Sequence, residues 1–290
     1  MTAAALGLVL AGAFIHALWN LIAKRVEAGA TFVCLFSLVA VCVYLPLAIA
    51  VVLWQHPHIG PIQLIFIGGT AVLHTGYFLA LQQGYRLGDL SLVYPLARGT
   101  GPMLTTVAAI AFFGERPGSI ALAGTALIGG GIILLTTGPE AWRRPNARAA
   151  AGYAFVTGLF ITGYSLWDKQ AVTTFAIPPI VLDWGDNLGR ALILAPVALG
   201  RGAGPGAEVA SVWRRYRREI VLIGILSPMP YILVLSAMVF TPVSYVAPAR
   251  EISILVGAVM GTRLLAEGDA RRRMVAAGAM VVGLAALAIG

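Results

Sequence analysis

Charge is what this sequence has least of. Asp, Glu, Lys and Arg make up 11% of its 290 residues, roughly half of what a soluble domain carries. Hydrophobic residues reach 59%, more apolar surface than a soluble core uses and the amount a bilayer takes up. Cysteine is almost missing: Cys34 and Cys42 stand eight residues apart, about 12 Å along one helix. That is too far for a disulfide, so both read as small packing residues. No phosphate-cradling Gly-x-x-x-x-Gly-Lys-Ser/Thr loop occurs, which argues against a nucleotide-driven pump. Histidine is scarce too: His16, His56, His58 and His74. His56 and His58 flank Pro57 in a short loop without a third ligand nearby, so no metal and no other cofactor is expected. The sequence shows no nucleophile–base pair either, and an enzyme is not expected.

What is present is long apolar runs. Ten lie near 4–23, 31–53, 62–84, 91–113, 118–136, 149–169, 178–199, 219–240, 243–265 and 272–289, each able to cross roughly 30 Å of hydrocarbon as a helix. They lack the alternation of barrel strands, and lipid tolerates only helices or closed barrels. The expected fold is an all-α integral membrane protein with ten transmembrane helices. The first run has no basic leader and is followed by Lys24-Arg25, which suits a first span rather than a cleaved signal.

The net charge of +8 does not point to nucleic acid, because its distribution is one-sided. Fourteen of the twenty Lys and Arg fall in loops one, three, five, seven and nine, the positive-inside pattern, which puts those loops in the cytoplasm and both termini outside. The segment before the eighth run, GRGAGPGAEVASVWRRYRRE, reads as an interfacial stretch for anionic lipid.

The chain also repeats itself. SLVYPLARGTGPMLTTVAAIAFFGERP (91–117) and VSYVAPAREISILVGAVMGTRLLAEGD (243–269) align at an offset of 152, placing Arg98 on Arg250 and Glu115 on Glu267. Residues 1–139 and 149–290 are thus expected to be two five-helix repeats joined by a polar linker at 140–148. Five spans is an odd number, so the second repeat enters from the opposite side; inverted repeats with a site at their interface suit alternating access.

Polar residues inside the runs are the candidate site, since ionisable groups at membrane depth are costly. His16, Trp19 and Asn20 share one face of the first run, and Leu166-Trp167-Asp168 echoes Leu18-Trp19-Asn20; Asp168 and Lys169 could be merely interfacial. His74 and Tyr77 share a face with Thr70 in the third run. Arg98 sits in the fourth, where Pro95, Gly99, Gly101 and Pro102 should loosen the helix. It has three readings: binding a substrate carboxylate, pairing with Asp183, Asp186 or Glu251, or snorkelling to the surface. Glu115 is expected to cap or staple the turn after that run. Asp183, Asp186, Asn187 and Arg190 form a stripe in the seventh, either an ion-pair network or a wet cavity wall. Ser227, Pro228, Pro230 and Tyr231 mark a broken eighth run, and Arg250-Glu251 follow Pro248 in the ninth. His74 and Asp183 are the proton-coupling candidates.

The FFGERP ending of the fourth run, the LLAEGD echo and the HALWN opening together resemble the EamA family of the drug/metabolite transporter (DMT) superfamily, over essentially the whole chain. Within it the sequence is also similar to YddG-type amino-acid exporters. Residue by residue, Leu18-Trp19, Pro102 and Glu115 carry over. The aromatic cluster associated with those exporters is here His74, Arg98 and Gly101, and Ile254 stands opposite Pro102. The resemblance implies a multi-pass bacterial inner-membrane secondary transporter, exporting neutral or aromatic amino acids or related metabolites. The alternatives are proton-coupled efflux of cationic drugs, a facilitative permease and, remotely, a membrane-embedded enzyme. The expected partners are a small-molecule substrate and lipid, with no nucleic acid or nucleotide, and a monomer is compatible. Trp19, Tyr77, Tyr94, Trp167 and Tyr231 would supply stacking surface in a central cavity. His16, Asn20, His74, Asp183, Asn187, Arg98, Arg250 and Glu251 would supply its polarity.

Overall fold

The structure is a computed structural model. It describes residues 1–23, 26, 29–88, 90–136, 146–200, 206–260 and 270–290. Glu267, Arg263, Lys24-Arg25 and residues 140–145 of the expected linker lie outside the described residues.

Among the described residues every regular element is helical. In chain order these are α1 (Ala3–Ala23), α2 (Gly29–Gln55), α3 (Pro61–Leu87), α4 (Leu90–Phe113), α5 (Ser119–Thr136) and α6 (Ala147–Thr173). They continue with α7 (Pro179–Leu199), α8 (Ala207–Leu226), α9 (Pro228–Phe240), α10 (Val243–Ala249), α11 (Ile252–Met260) and α12 (Ala270–Ile289). Among the described residues, six stretches are long and apolar enough to cross a membrane: α1, α2, α3, most of α4, α6, and the run from 207 to 240 that joins α8, kinked at Tyr216, to α9. α5 and α12 are shorter apolar helices. α7 carries Asp183, Asp186 and Arg190, and the chain between α10 and α11 is broken. The protein is an all-helical, multi-pass membrane protein.

The break has a local cause. Pro248 lacks the N–H that would bond to the Ser244 carbonyl. The Thr106 hydroxyl of α4 lies 3.3 Å from that carbonyl and shares its one proton between it and the nearer Pro102 carbonyl of its own helix. The following backbone tightens into three-residue turns, Glu251 N to Pro248 O at 3.1 Å and Ile254 N to Glu251 O at 2.9 Å, a short 3₁₀-like passage. Arg250 and Glu251 sit in it. The sequence predicts a similar loosening around Arg98, and there the structure differs: α4 is one continuous helix through Pro102. Its threonines stay within the helix, Thr105 bonding to the Gly101 carbonyl at 2.9 Å and Thr106 also to the Pro102 carbonyl at 3.1 Å. Proline removes one bond but the flanking turns hold.

The two ends of the chain meet. The Met1 ammonium donates to the Ala288 carbonyl at 3.1 Å, and the Tyr245 hydroxyl donates to Gly290 O at 3.1 Å. Glu115 lies at this end, and its role differs from the expected one. Instead of closing the α4–α5 turn, its carboxylate accepts the Val243 and Ser244 backbone N–H groups at 2.8 and 2.9 Å. It therefore caps α10, where free N–H donors and the helix dipole favour an anion. Glu115→Ala should lower stability by about 1–2 kcal/mol, the cost of a lost N-cap. Thermal unfolding of the purified protein in detergent measures it, and an unchanged midpoint would contradict the capping role.

The helices of the two halves interleave. α5 packs along α12, α2 against α7, α1 against α9 and α11, while α3 and α4 both lie on α6. These contacts bring α3, α4, α6, α7, α9 and the α10–α11 break around one interior region.

Candidate functional site

α6 is the spine of that region. Its buried residues Ile161, Tyr164, Ser165, Asp168, Ala171 and Val172 recur at three- and four-residue steps, one helical face. On the neighbouring face of α3, Gly69 and Gly76 lie under Trp167 and Phe160 of α6; an added Cβ would come within 2.5 Å of each ring. This close seating presents Thr70 and His74 of α3 to Asp168.

Asp168 is 0% exposed and is not interfacial, contrary to the sequence expectation. Thr70 donates to its Oδ1 at 2.5 Å, and the Tyr231 hydroxyl of α9 donates to Oδ2. His74 Nε2 lies 3.7 Å from the same oxygen. The other ring nitrogen of His74, Nδ1, is 3.0 Å from Asp186 Oδ2 of α7, and Asp186 in turn is paired with Arg190 one turn on. Tyr164 and Tyr231 close edge-on around the imidazole, with ring centroids 4.2 and 5.1 Å away.

A second charged group lies beside it. Arg98 of α4 and Arg250 of the α10–α11 break share Glu251: Arg98 Nε is 2.8 Å from Oε2 and Arg250 Nε 3.2 Å from Oε1. Glu251 is 0% exposed and both arginines 7%. Of the three readings for Arg98, the structure shows pairing with Glu251. Arg250 donates to the Tyr164 hydroxyl at 3.0 Å and lies over that ring at 5.3 Å, so Tyr164 joins the two groups. Arg98 lies 5.9 Å from the Tyr94 ring, and Tyr77 stands edge-on to Tyr164 at 5.9 Å.

The remaining candidates sit less centrally. His16 feels the charges of Arg98 and Arg250 and meets Trp19 edge-on at 5.0 Å. Trp19 otherwise packs toward the apolar cluster of α2, α7 and α8, and Asn20 is half-buried beside it. Trp167 stacks on Phe66 at 4.3 Å and donates to the Phe66 carbonyl at 2.8 Å, so its ring is spent on α3–α6 packing. Asp183 accepts from the Asn187 amide at 3.1 Å; Asp168, rather than Asp183, lies against His74. Lys169 is tied to the Met238 and Thr241 carbonyls at 2.5 and 3.0 Å. Tyr164, Ser165 and Thr70 were not among the sequence candidates. The signal for Tyr164 was its position one turn before Asp168.

Chemically, the arrangement is two charged clusters shut inside an apolar shell. One holds two carboxylates, an imidazole and a guanidinium; the other holds two guanidiniums on one carboxylate. Such groups suit binding and moving charged or zwitterionic species.

Comparison with known proteins adds the family. One solved crystal structure of a protein superimposes on 100% of this chain and 98% of its own at a TM-score of 0.74, with 16% sequence identity; that likeness concerns the fold. No curated protein matches the sequence. The EamA-like transporter family matches residues 3–137. Over that stretch, just under half of the chain, the sequence is similar to the EamA-like transporter family of the drug/metabolite transporter superfamily.

Proposed function

We propose that this protein is a bacterial inner-membrane secondary transporter, built as two inverted five-helix repeats, that exports neutral or aromatic amino acids or close relatives by alternating access. The observation that carries the reading is the shared glutamate: Arg98 from the first half and Arg250 from the second both turn on Glu251. Two guanidiniums against one carboxylate leave a positive charge to be matched. A substrate carboxylate supplies it with the paired geometry that arginine favours. Its ammonium meets Glu251, and Tyr77, Tyr94 and Tyr164 offer aromatic surface to its side chain. The carboxylates, His74, Arg98 and Arg250 are buried, so opening the helix packing on one side at a time would give access from that side alone.

Counterflow of labelled amino acids in proteoliposomes tests this. A neutral aromatic amino acid should exchange, and Arg250→Gln should cut exchange by about 10- to 100-fold, the value of a hydrogen bond to a charged group. Silence of folded wild-type protein across the panel would sink the amino-acid assignment. A second reading, efflux of lipophilic cations, is favoured by the buried Asp168 with Tyr164 and Tyr231 around it. Flux of an aromatic cation with a silent amino-acid panel would select it.

A further inference from the structure

We propose that His74, held between Asp168 of α6 and Asp186 of α7, is a proton-binding site that couples proton movement to transport. The coupling rests on the transporter reading above; the proton site does not.

The geometry makes the first argument. Nδ1 faces Asp186 at 3.0 Å and Nε2 faces Asp168 at 3.7 Å. A neutral imidazole carries one N–H and no charge; the imidazolium carries an N–H toward Asp186 and a positive charge that also attracts Asp168 across 3.7 Å. The arrangement is therefore complementary to a ring, or a ring–carboxylate unit, that holds one extra proton. Charge makes the second argument. Among the described residues, the interior carboxylates are Asp168, Asp183, Asp186 and Glu251. The guanidiniums beside them are Arg98, Arg250 and the partly buried Arg190. In the His74 cluster two carboxylates, Asp168 and Asp186, face one guanidinium, Arg190, which leaves one negative charge unmatched in a medium where unpaired charge is costly. A proton is the missing positive charge. Lys169 does not supply it, because it is anchored on carbonyls at the end where Glu115 caps α10.

The remaining groups facing the imidazole hold the site in place. Tyr164 from α6 and Tyr231 from α9 stand edge-on to the ring, with Tyr77 behind Tyr164. Thr70 from His74's own helix fixes Asp168. Arg190 fixes Asp186, and Asn187 occupies Asp183. Arg98, Arg250 and Glu251 connect through Tyr164, and His16 lies within the field of both arginines.

The helices are also close enough to feel a change in this clamp. Gly185 and Gly189 set α7 hard against Ile67 and Ala71 of α3, where an added Cβ would lie 2.3 and 2.4 Å away. Removing the proton turns an imidazole lone pair toward a carboxylate and weakens the tie of α3 to α6 or α7. A proton that binds the clamped packing better than the opened one shifts the balance between them, and the packing change in turn releases the proton. α3 belongs to the first half and α6 and α7 to the second, so the clamp spans the boundary that alternating access moves.

Two measurements decide it. The first needs no substrate: ¹⁵N-imidazole NMR of histidine-labelled protein in lipid nanodiscs, with His74 assigned by its loss in His74→Gln. One set of signals in the wild-type protein should be that of a doubly protonated ring. Asp168→Asn and Asp186→Asn should each shift it toward the singly protonated form. A ring that is singly protonated in the wild-type protein overturns the proton site. The second reads protons per amino acid in pyranine-loaded proteoliposomes during net flux of labelled L-phenylalanine down its own gradient. The ratio should fall from about one toward zero in His74→Gln and in Asp186→Asn, whatever rate remains, because coupling is a ratio between two linked events. A merely structural role would lower both fluxes together and leave the ratio. An unchanged ratio, or flux that follows a sodium gradient instead, overturns the coupling. Failure of wild-type protein to carry any amino acid removes the amino-acid reading, and the NMR result then stands by itself for the proton site.

Discussion

Glu251→Gln is expected to destabilise the protein by about 3–5 kcal/mol, the cost of stripping one partner from a buried ion group. Glu251 is the only anion that touches both Arg98 and Arg250 among the described residues, and it is fully buried. A glutamine keeps the shape and one acceptor oxygen but leaves two guanidiniums uncompensated in the interior. Chemical or thermal unfolding in detergent reads the loss, and a change below about 1 kcal/mol would mean that the pairs are not what holds the α4 to α10–α11 contact. The double variant Arg98→Met with Glu251→Gln separates the explanations. Removing one of the stranded cations should recover part of the loss if uncompensated charge is the cause, and no part of it if the glutamate acts only by shape.

Gly124→Leu is the second large effect. Gly124 of α5 and Gly283 of α12 lie back to back: a Cβ at Gly124 would stand 2.6 Å from the Gly283 carbonyl, and one at Gly283 2.7 Å from the Gly124 carbonyl. Backbone cannot give way as a flexible side chain can, so leucine must push the two helices apart. Helix association in lipid depends on such close packing rather than on a hydrophobic drive. A loss of about 1–3 kcal/mol or more follows from overpacking. Gly130 of the same helix is the control, since nothing lies within 4 Å of an added Cβ there. Gly130→Ala should be neutral or gain up to about 1 kcal/mol through helix propensity. Equal effects at the two positions would show that the α5–α12 interface is looser than the geometry implies.

Much of the interior was legible in advance, residue by residue. Arg98, His74, Asp183 and Asn187 stood out because ionisable groups in apolar runs have few reasons to be there. Arg250-Glu251 beside Pro248 stood out for the same reason, and the break falls there. Asp168 was misjudged for a definite cause. It lies in the last two turns of α6 beside Lys169, where depth alone suggests an interface. The side chains diverge because successive helical residues point about 100° apart: Asp168 turns inward to Thr70 and Tyr231, while Lys169 reaches the α9–α10 carbonyls. Trp167 was singled out by its echo of Trp19, yet it packs on Phe66 and Gly69. A repeated dipeptide says that two positions correspond, not that both face the same space.

The division between the two kinds of information has a physical basis. Composition and run length determine the solvent, and so the class: unpaired backbone groups in lipid are too costly for anything but helices or closed barrels, and long runs without strand alternation leave helices. Periodicity within a run determines which residues share a face. Neither determines how each helix is rotated about its axis against its neighbours, because that depends on small residues and ring shapes meeting across α3, α6 and α7. Only the tertiary structure decided that Glu115 caps α10 and that Arg98 and Arg250 share one glutamate. It also decided that His74 sits between Asp168 and Asp186. Each of these joins residues more than sixty positions apart or on different helices, and no local rule of sequence reaches across such a distance.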